Sequence, residues 1–333
     1  MSTYKTQEKF LKNSIRSILD QTYKNIELIV VVDGDKNNLE IVSKYKNDPR
    51  LKIIDNKTNF GLPHSLNIAI KSSTGEYIAR MDADDISIRT RIEKQVEYLD
   101  KNKNIDLIGT YAYKFGEKKG ISMFPYTDSE SISYQLLFRS ILIHPTVMFR
   151  KDFFIKNKLE YNEKFEVAQD YELWSRIIQI GNIAVVPFIG IKLRIHKRQA
   201  SKVKQTMQIE NAKKIIINNI KFYLKKDVPT EEEIETFLVL GRKKKLTLQN
   251  NLTVLNEISK MKKYKNSRKF NEQLNILYFI SVISSKNIKL INKNNIKIIF
   301  SRDVFKYIIK KYSISLKCKK EMVSEKNDEN NSV

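Results

Sequence analysis

Two short apolar runs in this chain each end in acid, and that pattern limits how it can fold. Residues 28–32 lead into Asp33-Gly34-Asp35, and residues 77–81 lead into Asp82-Ala83-Asp84-Asp85. Continuous apolar runs of this length suit interior strands of a parallel sheet. Phe10, Leu11, Ile15, Ile18 and Leu19 repeat at helical spacing before them, and a further helix is expected near residues 39–45. Strands at 28–32, 51–54 and 77–81 alternating with helices predict an α/β domain. In a parallel sheet both acidic ends fall on one edge, which is where ligands bind in open α/β sheets. Hard carboxylate oxygens there suit Mg²⁺ or Mn²⁺ bridging a diphosphate. Aspartate as helix cap or turn former explains either cluster taken alone.

Further along, Ile92, Val96 and Leu99 mark a helix, and strands are expected at 107–115, 146–149 and 183–186. Leu173, Trp174, Ile177 and Ile178 give an apolar side to a helix at 171–180. Beyond about residue 205 strand alternation stops, and helical patterns recur at 215–224, 231–240, 252–261, 274–283 and 304–309. The expected organisation is an α/β domain over 1–205, a basic helical region over 206–320 and a disordered tail over 321–333.

The net charge of +23 admits nucleic acid, anionic lipid or an acidic substrate as partner. Lys, Asn and Ile are abundant throughout, so part of that charge reflects codon bias. Residues 206–333 carry 27 Lys and Arg against 13 Asp and Glu, which places +14 of the charge there. This region lacks the interleaved aromatic or Gly-rich motifs of RNA binders, so no nucleic acid is expected. The single cysteine, Cys318, excludes an intrachain disulfide and fits a reducing, cytoplasmic setting. No apolar run reaches the eighteen or so residues that a membrane span needs. The first residues show no signal-peptide core.

Several segments, in their order and spacing, resemble the inverting glycosyltransferases of the GT-A fold, of the family 2 type found in bacterial glycan synthesis. They are Ser14-Ile15-Arg16-Ser17-Ile18-Leu19-Asp20-Gln21-Thr22-Tyr23, the run from Glu27 to Gly34, Asn59-Phe60-Gly61-Leu62 and Asp82-Ala83-Asp84-Asp85. His144-Pro145-Thr146, Gln169-Asp170-Tyr171-Glu172-Leu173-Trp174 and Leu193-Arg194-Ile195-His196 resemble the acceptor-side and later segments of that family. The resemblance covers about residues 1–205. It implies a GT-A domain followed by an α-helical C-terminal region.

The activity it implies is metal-dependent, inverting transfer of a hexosyl group from a nucleotide sugar, UDP by type, to a glycan or lipid-linked acceptor. The setting would be assembly of capsule, lipopolysaccharide, lipooligosaccharide or another cell-surface polysaccharide. By similarity Asp84 and His196 hold Mn²⁺ or Mg²⁺, and Asp82 faces the ribose and the metal shell. Asp33 takes the imino proton of the base, and Thr3, Tyr4, Asn59, Gly61 and Arg194 complete the nucleotide-sugar site; Arg80, just before the cluster, reads as a further contact of that site to the diphosphate, as a partner of Asp84, or as a strand residue pointing away from both. Asp170 is the matching general base. A lone histidine is more often structural, so His196 also reads that way; Asp85 reads as a helix cap, His144 as acceptor pocket or turn, and Trp174 as core.

Three departures stand out. Gln169 replaces the usual Glu, which removes a charge that would raise the pKa of Asp170. Leu193 replaces a Tyr. Met1-Ser2-Thr3-Tyr4-Lys5 resembles only the end of the family's first, central strand, with Lys5 for Asn, so that strand is expected to be truncated. These departures leave an inactive nucleotide-sugar-binding homologue as the alternative, with a basic nucleic-acid-binding protein as the reading from another class. The basic helical region also fits peripheral attachment to an anionic inner membrane face.

Overall fold

Leu11, Ile15 and Ile18 fall on one face of α1 (Glu8–Leu19), and burying that face fixes the helix against the sheet. The computed structural model describes residues 1–197, 199, 203–224, 268–269, 271–273, 275–276 and 301–330. Two compact units divide the chain. One comprises Met1–Thr127 with Leu142–Gln205, and the other Asp128–Ile141 with Thr206–Val333.

In the first unit, β1 (Ser2–Thr3), β2 (Leu28–Asp33) and β3 (Leu51–Asn56) form a parallel sheet in that order, with α1 and α2 (Lys36–Ser43) between them in sequence. Every residue of β2 is buried, as its unbroken apolar run requires. Then come α3 (Leu62–Ser72), β4 (Tyr77–Ala79), β5 (Ile86–Ser87), α4 (Arg91–Lys101), β6 (Leu107–Gly116) and β7 (Gly120–Ser122). After α5 (Ser129–Leu136), which belongs to the second unit, follow a 3₁₀ turn (His144–Thr146), β8 (Met148–Arg150), α6 (Lys151–Lys156), α7 (Gln169–Ile180) and β9 (Ile183–Ile195).

The second sheet runs β4-β8-β6-β9-β5, with β7 paired to β6. It is mixed rather than parallel, because β8 runs antiparallel to both β4 and β6 while β6 and β9 are parallel. The strand expected at 183–186 extends through Pro187 to Ile195, with register shifts near Tyr111 that re-aim its second half. That extension delivers Arg194 to the acidic end of β4.

β1 is two residues long. The two sheets touch through a parallel bridge between Ser2 and Asp82. Beside it lies a cavity of about 400 Å³ whose lining includes Met1, Ile29, Tyr77, Ala79 and Arg91. The Met1 amino group is buried there and donates to the Ile29 carbonyl at 2.9 Å, and burial pushes it down to about 5.

In the second unit, α8 (Gln205–Leu224) buries Ile215 and Ile216, and α9 (Arg302–Asn330) buries Val304, Tyr307 and Cys318. These cover the helices expected at 215–224 and 304–309; α9 also takes in most of the segment expected as a tail. The helices expected at 231–240 and 252–261, and most of that at 274–283, lie outside the described residues. Among the described residues no helix is long and apolar enough to cross a membrane.

Candidate functional site

The acidic turn after β4 is held by polar residues on α1 and just past its C-terminus. Ser14 Oγ donates to the Asp82 carbonyl at 2.8 Å, and Ser17 Oγ accepts from the Ser87 N–H at 3.0 Å. Gln21, fully buried, donates to the Ile88 carbonyl at 2.9 Å and accepts from the Ile92 N–H at 3.0 Å. Ser14 and Ser17 lie on one face of α1 and Gln21 follows just past its last residue, Leu19, so the C-terminal half of this helix and the residues after it brace the turn from 82 to 92. The sequence shows Ser14 and Ser17 among the apolar residues of this helix and Gln21 just after it, and that was the available signal for this role.

Asp82, Asp84 and Asp85 each offer an oxygen within 4.8 Å of the others. Burial, then the charge of Asp82, raises the Asp84 carboxyl above its ordinary range, against the pull of His196. Burial and the charges of Asp82 and Asp84 lift Asp85 further. Asp85 is not a helix cap. It precedes β5, accepts the Arg194 N–H on Oδ1 at 2.7 Å, and leaves its buried Oδ2 without a hydrogen-bond partner. Three crowded carboxylates with an orphaned oxygen are a donor set suited to a hard divalent cation, whose charge would relieve their repulsion.

Arg80 is buried and its Nη1 lies 2.5 Å from Asp82 Oδ2. Burial alone would lower its pKa; the attraction of Asp82 outweighs that and raises it. His196 Nε2 meets Asp84 Oδ2 at 2.8 Å and joins the cluster through that contact. Arg194 donates from Nε to the Asp84 carbonyl at 2.7 Å. Its guanidinium lies over Phe10 at 3.9 Å and Phe115 at 4.4 Å, a sandwich that orients the group.

Asp33 stands at the end of β2 and organises the loop opposite. Its Oδ1 accepts from Asn56 Nδ2 at 2.9 Å and the Phe60 N–H at 3.0 Å. Its Oδ2 accepts from Asn59 Nδ2 at 2.9 Å and the Gly61 N–H at 2.8 Å. Asn59 and Gly61 therefore reach the site as partners of Asp33. Gly34, at φ +72°, sits where a Cβ would come within 2.5 Å of the Asn59 nitrogen, so only glycine permits this approach. Thr3 is turned inward, its hydroxyl donating to Asn38 Oδ1 at 2.6 Å, while Tyr4 is exposed.

Asp170 lies in the first turn of α7, behind Ala168 in the left-handed region at φ 61°. Burial raises its carboxyl, partly offset by the Tyr171 N–H and Arg80, with Asp82 adding to the rise. Burial thus supplies the basicity that Gln169 cannot. The buried phenol of Tyr161 is pushed up by burial and also feels Arg80, Asp170 and Asp82, which places it among these groups. Its hydroxyl bonds His144 Nε2 at 2.8 Å, and His144 lies edge-on to Trp174 at 5.9 Å. Burial, then Arg80, holds His144 well below the usual histidine range, so it is a neutral packing group in a turn. Trp174 is wholly buried core.

Sequence reasoning passed over Arg91, which is wholly enclosed. Its Nη2 donates to the Arg80 carbonyl at 2.8 Å and the Val147 carbonyl at 3.3 Å. Burial, then the charge of Arg80, pushes it down to about 9. Tyr161 was passed over as well. Nothing local in the sequence marks either residue.

Comparison with known proteins gives the family and the fold. Residues 1–158 match the family described as Glycosyl transferase family 2. An uncharacterized glycosyltransferase of Haemophilus influenzae is 39% identical over 233 residues, spanning 66% of this chain and 72% of that protein. The O-antigen biosynthesis glycosyltransferase WbnJ of Escherichia coli is 35% identical over 176 residues, 51% of this chain and 67% of that protein. Among solved structures, residues 1–349 of S. aureus TarS in complex with UDP-GlcNAc share the fold with a TM-score of 0.58 at 18% identity, over 90% of this chain and 88% of that one.

Proposed function

Because the chain belongs to glycosyltransferase family 2, we propose that it moves a sugar from a nucleotide diphosphate donor, of the UDP type, to a glycan or lipid-linked acceptor with inversion at the anomeric carbon. The observation that carries this reading is the convergence of Asp82, Asp84 and Asp85 at the end of β4, with Arg80 paired to Asp82 behind them. Asp84, with Asp82 and Asp85, would hold Mn²⁺ or Mg²⁺, and His196 would orient Asp84 through their hydrogen bond. A bound cation supplies charge neutralisation to a departing diphosphate.

The residues of the chain divide the remaining work. Tyr4 and the Asp33–Asn59–Gly61 loop face the nucleoside, and Arg80 and Arg194 set the charge and placement of the carboxylates. Asp170, raised by burial, takes the proton of the acceptor hydroxyl. The acceptor oxygen bonds to the anomeric carbon as the bond to the diphosphate oxygen breaks on the opposite face, and the nucleoside diphosphate leaves with the electron pair. The O-antigen relative supports a setting in cell-surface polysaccharide assembly, and the +14 charge of residues 206–333 supports work at an anionic membrane face.

Donor hydrolysis measured over a panel of nucleotide sugars with Mn²⁺ tests the reading. Turnover of one UDP-sugar that Asp84→Ala abolishes is expected. Hydrolysis of none, with UDP binding insensitive to Mn²⁺, would overturn it.

A further inference from the structure

Helix α9 carries an apolar row on its exposed side. Phe305, Ile308, Ile309, Tyr312 and Leu316, spaced i, i+3, i+4, i+7 and i+11, are between 44% and 67% exposed. The row does not belong to the core, because the helix packs by a different face: Val304, Tyr307 and Cys318 are buried, and Asp303 accepts from Asn275 Nδ2 at 3.1 Å. On the helical wheel Arg302, Lys306 and Lys317 flank one edge of the row and Lys311 lies beyond the other, all exposed. Residues 302–318 contain five Lys or Arg and one acidic residue, Asp303.

We infer that this face of α9 docks the C-terminal unit onto an anionic membrane surface. An apolar strip about 16 Å long with aromatic and aliphatic members suits a helix lying in the headgroup region and is too short to span. Lysines at its margins can bury their stems and keep the ammonium groups among anionic headgroups. The +14 of residues 206–333 adds long-range attraction to such a surface. A second copy of the chain is a poorer occupant, because an isologous contact across this row sets like charges against each other. The inference deepens the membrane-side placement proposed above, and its observations are the exposed face of α9 and the charge of residues 206–333.

Co-sedimentation of the full chain with vesicles tests it. Vesicles containing about 30% phosphatidylserine should bind the protein, neutral phosphatidylcholine vesicles should bind it weakly, and added salt should release it. Phe305→Ser with Ile309→Ser, or Lys306→Gln with Lys317→Gln, should each lower the bound fraction about tenfold. Both pairs alter exposed side chains, so unchanged melting temperature and unchanged Mn²⁺-dependent UDP binding show that the fold and the donor site are intact. Loss of vesicle binding with UDP binding retained supports the inference. Equal binding of variant and parent to anionic vesicles overturns it, as does a dimer that dissociates in the Phe305→Ser, Ile309→Ser variant without any vesicle binding. Loss of UDP binding in the parent would instead strike the transferase reading and leave this one standing.

Discussion

Arg91 and Arg80 are joined by a hydrogen bond from the guanidinium of the first to the main-chain carbonyl of the second, at 2.8 Å and out of contact with solvent. One arginine thereby holds the backbone from which another reaches Asp82. Replacing Arg91 by Met leaves the Arg80 and Val147 carbonyls buried without that donor. A loss of about 3 kcal/mol in urea unfolding is expected, with Arg91→Lys intermediate.

Removing a carboxylate from the acidic cluster should separate binding from stability. Asp84 is raised by burial and by Asp82, so its charged form weakens the metal-free fold at neutral pH. Asp84→Asn should therefore raise metal-free stability by about 1 kcal/mol at pH 7, a gain that shrinks as pH falls and the parent carboxyl protonates. Calorimetry of the same variant should show Mn²⁺-dependent UDP binding lost.

Asp170→Asn should lower kcat by about 10²–10⁴-fold and leave the affinity for UDP unchanged. Because the Asp170 carboxyl is raised, its basic form is complete only above that raised value. The acid limb of kcat/KM in the parent enzyme should accordingly lie above the range near pH 4 of an ordinary carboxylate. Full-range pH–rate profiles of parent and variant check both statements.

His144 is neutral in the fold and takes a proton when the chain unfolds below about pH 6.5. Between its lowered folded value and 6.5 the unfolded state binds the extra proton, so stability falls as pH drops through that window. His144→Gln keeps a polar partner for the Tyr161 hydroxyl and removes the titration. Thermal unfolding at pH 7.5 and 5.5 should show a smaller pH-dependent loss in the variant than in the parent.

The loop built on Asp33 depends on the absence of a side chain at Gly34. Gly34→Ala would press a Cβ to 2.5 Å from the Asn59 nitrogen at a positive φ, so a loss of about 2–3 kcal/mol and weakened nucleotide binding are expected. Denaturant melts and UDP titration measure the two effects.

Local pattern alone determined the alternation of helix and strand and the acidic ends of β2 and β4, and the ordered motifs carried the resemblance to the family. Hydrophobic periodicity acts over a few residues and can be read where it stands. Tertiary structure decided which polar groups meet. Asp85 finds the Arg194 N–H 109 residues away, Tyr161 finds His144, and Arg91 turns inward to the Arg80 carbonyl. Long-range packing brought β8 back antiparallel beside β4, and the extension of β9 past Pro187 delivered Arg194 to the carboxylates. The raised carboxyl of Asp170 belongs to the same class, because burial is a property of the packed domain and not of the residue beside it.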